Sequence, residues 1–359
     1  MARRGKGIYK RNDGRWEGRY LLDGKYKSVY GHSYGEVKSK LDDCFLGKSP
    51  PVSKPIKGQA VLFSALCDEW LDQKKLCLKQ SSFAQYSCMI RKHIVPYWSK
   101  QAVTSQSVNE YIKVLSARLS AKTVRDILGV FMQIVRFAEK KHGIHIVLDA
   151  VSKPKAPHGN LPVLSPDEQR KLSVFLRTNP SRINTGVLLL LYTGVRIGEL
   201  CALQWSDINL NSQSISVTKT LQRIQNTEPS TKAKTRIIID TPKSRNSTRL
   251  VPLPSFLIGA LSALQTNPSD YFLTGNPCYM EPRLFQTKFK QALEQAKIAK
   301  TNAHALRHTF ATRAIEQNID IKSLSEILGH SAVKFTLERY VHSSTELKRS
   351  GMERLAVYL

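Results

Sequence analysis

A chain of 359 residues is long enough for two or three domains, and 41% hydrophobic with 23% charged residues excludes a wholly disordered polymer. Its 55 Lys and Arg against 28 Asp and Glu leave a formal net charge of +27, which points to a polyanionic partner, nucleic acid before an anionic membrane surface. No run approaches the ~20 apolar residues that span a bilayer, and residues 1–22 lack the apolar core of a signal peptide. Six cysteines (Cys44, Cys67, Cys77, Cys88, Cys201 and Cys278), none in a C-x-x-C pair, read as reduced thiols of a cytosolic protein that needs no metal or other cofactor.

The first block, residues 1–47, is strongly basic. Counted to Lys48, it carries twelve Lys and Arg against six acids, a net +6. Short aromatic and β-branched runs break at Asn12-Asp13-Gly14 and at Asp23-Gly24, both hairpin signals. Ser33 followed by Glu36 is a capping box opening a helix from about Tyr34 to Cys44. The expectation is a small three-stranded antiparallel sheet with one helix packed on it. Strand alternation puts Tyr9, Arg11, Arg15 and Arg19 on one face, and Ile8, Trp16 and Tyr20 on the other, toward the helix. That arginine-rich face is the candidate for docking in a DNA major groove, which admits a β-ribbon; a merely solvated face is the plainer alternative.

Residues 48–58 (KSPPVSKPIKG) lack periodicity and form a linker. Residues 59–151 read as a bundle of four or five helices. Phe63, Leu66, Trp70 and Leu71 share one helical face; Val124, Ile127, Leu128, Phe131, Val135 and Phe137 share another, with helix starts at Ser81-Ser82, Thr104-Ser105 and Ser120. Lys79, Arg91, Lys92 and Lys122 are its candidate DNA contacts, on charge alone. A second linker, 152–162, carries three prolines, Pro154, Pro157 and Pro162.

The third block, 163–359, opens on Ser165-Pro166-Asp167-Glu168, a capping box with Pro at the first helical position. An apolar helix over Gly186–Tyr192 breaks at Thr193-Gly194, and another starts near Arg196. Strand-like runs follow at Ser214–Thr220, Arg236–Asp240 and Arg249–Leu253, then helices to the end. The chain is therefore expected to be multidomain: mainly α, with α+β parts.

Phosphodiester chemistry without a metal needs cations on the non-bridging oxygens, a nucleophile, and an acid for the leaving oxygen. Arginine suits the first role because its planar fork stays charged and binds oxygens in pairs. Arg196 follows a tight turn at a helix start, with Glu199 placed to orient it or cap the helix. His304 and Arg307 share a helix face, joined by His308. His330 follows the Gly329 helix stop, Tyr340 lies in a later helix, and Lys243 sits between two strands, at the head of a hairpin. Singly, each has a simpler structural reading, such as a surface charge or a packed tyrosine. Their order along one chain does not.

The order Arg…Lys…His-x-x-Arg…His…Tyr resembles the tyrosine recombinases, specifically integrases of phages and conjugative elements. TGVRIGEL, HALRHTFAT and LGHS…TLERY carry the resemblance most specifically, with TPKSRNSTRLVPLP close to what such integrases hold. It covers the whole chain and implies an arm-type DNA-binding domain, a helical (SAM-like) core-binding domain and a mostly helical α+β catalytic domain. It further implies that Arg196 and Arg307 clamp the scissile phosphate. His304 and His330 would hydrogen-bond its oxygens, Lys243 would protonate the 5′ leaving oxygen, and Tyr340 would attack to give a 3′-phosphotyrosyl link. The partners implied are double-stranded DNA at core and arm sites, a homotetramer in the synapse, an excisionase and a host DNA-bending protein. The apolar end of the segment Glu346–Leu359 fits docking on a neighbouring protomer. A DNA-binding accessory protein without activity and a topoisomerase IB-like nicking-closing enzyme are the competing functions.

Overall fold

The Asn12-Asp13-Gly14 triplet makes the turn expected of it, with Gly14 at φ +83° and its N–H donating to Arg11 O at 3.0 Å. It joins β1 (Gly7–Lys10) to β2 (Trp16–Leu22), and β3 (Lys25–Gly31) completes an antiparallel sheet in the order β1-β2-β3. The Asp23-Gly24 turn lies outside the described residues, although Leu22 pairs with Lys25 across it. Helix α1 (Tyr34–Phe45) lies so close to β2 that a Cβ on Gly18 would come within 2.7 Å of Val37 and Leu41. Its cap differs slightly from the capping box. Ser33 Oγ accepts from Glu36 N at 3.2 Å, but the Glu36 carboxylate takes the N–H of His32.

The computed structural model describes residues 7–22, 25–45, 62–99, 101–143, 148, 151–155, 162–227, 233–241, 247–330, 332–340 and 352. Among them the second block holds four helical rods. These are α2 (Phe63–Lys75); α3 (Gln80–Met89), continuing through a π-helical turn at Ile90–Ile94 into α4 (Val95–Trp98); α5 (Ser105–Ser116); and α6 (Ala121–His142). Thr104 and Ser120 cap α5 and α6 as read from the sequence. The Ser81-Ser82 start is corrected: α3 begins at Gln80 after Lys79, with no side-chain cap. Trp98 stacks on Phe131 at 4.8 Å and meets Tyr111 edge-on at 5.4 Å, an aromatic centre with Leu66, Ile127 and Val135 also buried.

Two compact units emerge, Met1–Trp70 with Lys92–Pro154, and Leu71–Arg91 with Lys155–Leu359. The helical block read as 59–151 is thus divided. The start of α3 joins the second unit by hydrogen bonds: Lys79 Nζ donates to Thr241 O at 2.6 Å, and Arg236 Nη2 to Gln80 Oε1 at 3.4 Å.

In the second unit Ser165 and Glu168 cap α7 (Pro166–Thr178) reciprocally. The core is built on α8 (Arg182–Thr193), whose Val187 to Leu191 are all buried, with α11 (Pro282–Gln295) and α12 (Ala303–Glu316) against it. Between them run α9 (Ile197–Ala202), two small sheets and α10 (Ile258–Ser262). The sheets are β4 (Ile208–Asn209), β5 (Ser214–Val217) and β8 (Arg249–Pro252) in the order β4-β5-β8, and β6 (Thr220–Gln225) with β7 (Thr235–Asp240). Strand β6 was not expected, and the run read as Ser214–Thr220 holds the whole of β5 and the first residue of β6. This also corrects the hairpin assigned to Lys243. Residues 242–246 lie outside the described residues, but the flanking strands β7 and β8 belong to different sheets, so that loop crosses between sheets.

Helices α13 (Ile321–Leu328) and α14 (Val333–Tyr340) close the described structure apart from Met352. Glu346–Leu359, apart from Met352, lies outside the described residues, as does the 48–58 linker. Ahead of α7, Leu164 is bound on both sides to α12: its N–H donates to Thr309 Oγ1 at 3.0 Å, and its carbonyl accepts from Arg313 Nη2 at 2.8 Å. No helix among the described residues is long and apolar enough to cross a membrane.

Candidate active site and DNA-binding face

Helix α8 ends at Gly194, in the left-handed region at φ +66°, where a Cβ would come within 2.5 Å of the Phe310 ring. Only glycine fits on both counts, and the turn it allows serves two arginines. Its carbonyl accepts from Arg307 Nη1 at 2.6 Å. Two residues on, Arg196 takes the N-cap position of α9 in extended conformation. Glu199 holds it there as a capping box, accepting Arg196 N and Nη1, each at 2.8 Å. Both roles read for Glu199, capping and orienting, are therefore present. Burial pushes the Glu199 carboxyl up, but the hydrogen bonds and charge of Arg249, with the charge of Arg196, outweigh it and hold the group below the usual glutamate value. The Arg196 guanidinium stays partly open, beside a cleft of about 300 Å³ that Lys79, Thr220, Asp240, Thr241 and Ser247 also line.

Arg307, on α12, is 2% exposed. Beyond Gly194 O, its Nη2 donates to Leu328 O at 2.6 Å and to His330 Nε2 at 3.1 Å. Gly329 stops α13 at φ +62°, and His330 follows directly. Because a guanidinium only donates, His330 Nε2 is the acceptor, which places the imidazole proton on Nδ1. That proton points to Thr336 Oγ1 at 2.8 Å. Thr336 is buried on α14, one turn before Tyr340. Arg196 Nη2 meets the same turn at Gly329 O, 3.4 Å away.

Arg196 and Arg307 thus bind the backbone carbonyls of Gly194, Leu328 and Gly329, and His330, next in the chain, bonds to Arg307. His304 lies one turn before Arg307, exposed, its ring 4.4 Å from that of the buried His308. Tyr340 ends α14; its side chain and the whole of Lys243 lie outside the described residues. Thr336 and Arg249 were not anticipated. Arg249 had a signal: alternation puts it on the inward face of β8 with Val251, where a charge needs a partner.

The N-terminal sheet places Tyr9, Arg11, Arg15 and Arg19 on or beside its helix-free face, around an acid that was overlooked. Glu17 is 2% exposed and accepts from Arg19 Nε at 2.9 Å, Arg11 Nη1 at 3.0 Å and Ser28 Oγ at 3.0 Å. The Arg19 and Arg11 guanidiniums lie over the rings of Tyr9 and Tyr30 at 5.6 and 5.7 Å. Arg15 folds onto Asp13 of the turn at 2.7 Å. The hydrogen bond from Arg19, opposed by desolvation and helped by Tyr9 and Ser28, brings the Glu17 pKa down to about 2. A depressed carboxylate stabilises the fold above its unfolded value and ceases to do so as it protonates. Acid titration should therefore leave this sheet intact at neutral pH and loosen it as pH falls from about 4.5 toward about 2, read from Trp16 fluorescence. In Glu17→Gln that transition should be absent. Of the bundle candidates, Arg91, Lys92 and Lys122 are exposed, whereas Lys79 is bound to Thr241 and lies 3.5 Å from Asp240.

Residues 162–346 match the phage integrase family, and residues 62–116 match the SAM-like N-terminal domain of phage integrases. The chain belongs to the phage integrase family. The resemblance read from the three catalytic motifs is thereby borne out, and the protein is a tyrosine-type recombinase of the integrase class. A relative from Caldanaerobacter subterraneus subsp. tengcongensis, a XerC-like tyrosine recombinase, is 25% identical across 92% of this integrase and 91% of its own length. The Tn1549 transposon integrase, solved with transposon right-end DNA, superposes with a TM-score of 0.69 at 21% identity, covering 82% of this chain and all of that one. A lambda integrase tetramer bound to a Holliday junction gives 0.55 at 15% identity, over 91% of this chain and 96% of that one.

Proposed function

We propose that this integrase cuts and rejoins DNA at specific sites through a 3′-phosphotyrosyl bond on Tyr340, inserting and excising a mobile element by way of a Holliday junction. The observation that carries the reading is the convergence of Arg196, Arg307 and His330 on the Gly194 and Leu328–Gly329 turns, with α14 tied to His330 through Thr336.

In this reaction the two guanidiniums and the His304 imidazole hold the non-bridging oxygens, where charge grows in the transition state, and His330 joins them once its Nε2, which accepts from Arg307 in this structure, carries a proton. A tyrosine hydroxyl has an ordinary pKa of ~10, so its attack depends on those surrounding cations. The Tyr340 hydroxyl passes its proton to His304 as its oxygen bonds to phosphorus and the P–O5′ bond breaks, and the Lys243 ammonium gives its proton to the departing 5′-oxygen. The phosphotyrosyl bond retains the energy of the broken one, so a 5′-hydroxyl from another strand reseals the DNA without ATP.

The working layout is an arm-type domain over 1–47, a core-binding domain over 59–151 and a catalytic domain over 163–359, joined at 48–58 and 152–162. Linking two DNA-binding parts raises the local concentration of the second once the first has bound. Four copies act in the synapse, with an excisionase and a host DNA-bending protein setting direction. The protein works in the bacterial cytoplasm, on the nucleoid when bound. Replacing Arg15 and Arg19 together by Ala should weaken arm-site binding and lower the salt slope by about 1 for each lost phosphate contact, measured by fluorescence anisotropy. Core-site binding should be unchanged.

The decisive test is a nicked suicide substrate bearing the element's attachment site, incubated in EDTA. A covalent adduct mapped to Tyr340 is the expected result. Binding without an adduct would point to the accessory-protein reading, and closure of nicks without strand exchange to the topoisomerase-like one.

A further inference from the structure

Three arginines on the N-terminal sheet and its first turn share two carboxylates. Arg15 bonds to Asp13 and Arg19 to Glu17, while Arg11 lies between the two, its Nη1 3.0 Å from Glu17 and its Nε 3.5 Å from Asp13. Glu17 occupies the middle strand, opposite Tyr9 on β1 and Tyr30 on β3. With its pKa brought down to about 2, it is a full negative charge at any pH at which DNA is bound. A phosphate approaching this face meets that charge beside the arginines, and part of the Coulomb attraction is cancelled. A neutral acceptor meets no such repulsion and finds the same N–H donors. Arg19 is the best placed of the three to serve one. Arg15 spends Nε and Nη2 on Asp13, and Arg11 faces both carboxylates. Arg19 is engaged by Glu17 through Nε, with the Tyr9 ring 5.6 Å from its guanidinium carbon and its side chain 57% exposed. Its paired Nη1 and Nη2 are thus oriented by the sheet and available to a partner outside it.

We propose that Arg19 reads a guanine in the major groove of arm-site DNA, and that Glu17 is the positioning residue that makes this reading selective. The proposal rests on the N-terminal block being an arm-type DNA-binding domain. Guanine is the base whose major-groove edge offers two neutral acceptors side by side, O6 and N7, and the terminal nitrogens of an arginine match that pair. Glu17 contributes in two ways. It fixes the guanidinium before DNA arrives, so less side-chain freedom is lost on binding. It also weakens the competing attraction of Arg19 to phosphate, which carries no sequence information. A negative charge on a DNA-binding face then raises discrimination at the expense of general affinity. Any salt dependence lost when Arg15 and Arg19 are both replaced by Ala belongs, on this view, to Arg15.

The test uses the full-length protein and a random-sequence duplex library. The arm-type motif is the one recovered by wild type and weakened by the paired Arg15 and Arg19 change; if no motif behaves so, the arm-domain reading itself falls. Each guanine of that motif is then replaced in turn by 7-deazaguanine, which lacks the N7 acceptor, and affinity is measured by fluorescence anisotropy. One replacement should cost wild type about tenfold and Glu17→Gln about twofold or less. Glu17→Gln should also bind the unmodified motif about tenfold more weakly, yet hold random duplex as tightly as wild type or tighter, because a negative charge has gone. If it tightens both equally and keeps the deazaguanine penalty, Glu17 is only a counter-charge and the proposal is overturned. Wild-type indifference to every deazaguanine overturns it as well. Should Glu17→Gln be unfolded by circular dichroism, Arg19→Lys takes its place: it keeps the charge without the fork, and should lose the same penalty with its salt slope unchanged. Retention of the penalty in Arg19→Lys would overturn the proposal.

Discussion

Replacing Tyr340 by Phe is expected to abolish the covalent DNA adduct and reduce recombination by at least about 10⁴-fold, the scale on which removing a nucleophile acts. The change deletes one oxygen from the last residue of α14 and leaves the basic surfaces that hold the duplex, so gel-shift affinity for the core site should match wild type. Recombination on a two-site plasmid and adduct formation on a nicked substrate measure the two halves of the prediction. Loss of binding together with cleavage would mean that the hydroxyl supports the fold instead of reacting. Retained cleavage would move the nucleophile to another residue.

The second large effect belongs to Arg307. Arg307→Ala should fail twice, in chemistry and in stability. With the proposed clamp on the scissile phosphate reduced to one guanidinium, the rate should fall about 10²–10³-fold, as for the loss of one transition-state donor. The buried carbonyls of Gly194 and Leu328 lose a donor as well, at about 1–3 kcal/mol for each acceptor left unpaired. Thermal unfolding should therefore drop by several degrees alongside the rate. Arg307→Lys separates the two contributions. It keeps the charge but cannot reproduce two parallel hydrogen bonds, so it should recover more stability than activity. A variant with normal melting and no cleavage would assign Arg307 to catalysis alone.

The difference between what the sequence discloses here and what it withholds follows the range of the interactions. Gly194, Gly329, the Ser165–Glu168 cap and the Asn12-Asp13-Gly14 turn are local devices, set by backbone angles and by side chains a few residues away. All four are where the residues alone put them. Arg196 and His330 were legible for the same reason, since each follows such a stop within two residues. The hairpin around Lys243 was misplaced because β7 and β8 carry the right residues for pairing but find other partners, β6 and β5, and partner choice is decided across the fold. Glu17, Thr336 and Arg249 escaped for a related reason. An acid in a basic strand, a threonine in a helix and an arginine opening a strand are unremarkable until a distant group arrives beside them. Glu17 also alters the picture of the N-terminal face: Arg11 and Arg19 are held by its carboxylate and by two tyrosine rings.

The double attachment of Leu164 to Thr309 and Arg313 bears on where the polypeptide can be cut. Those bonds make the residues just ahead of α7 part of the scaffold of α12, the helix that carries His304 and Arg307. A shortened version starting at Ser165 would strip a buried hydroxyl of its N–H partner at Thr309, the residue directly after the HALRH motif. One starting ahead of Pro162 would keep that helix dressed as it is in the whole protein. The sensible dissection point is therefore ahead of Pro162, not at the first residue of α7.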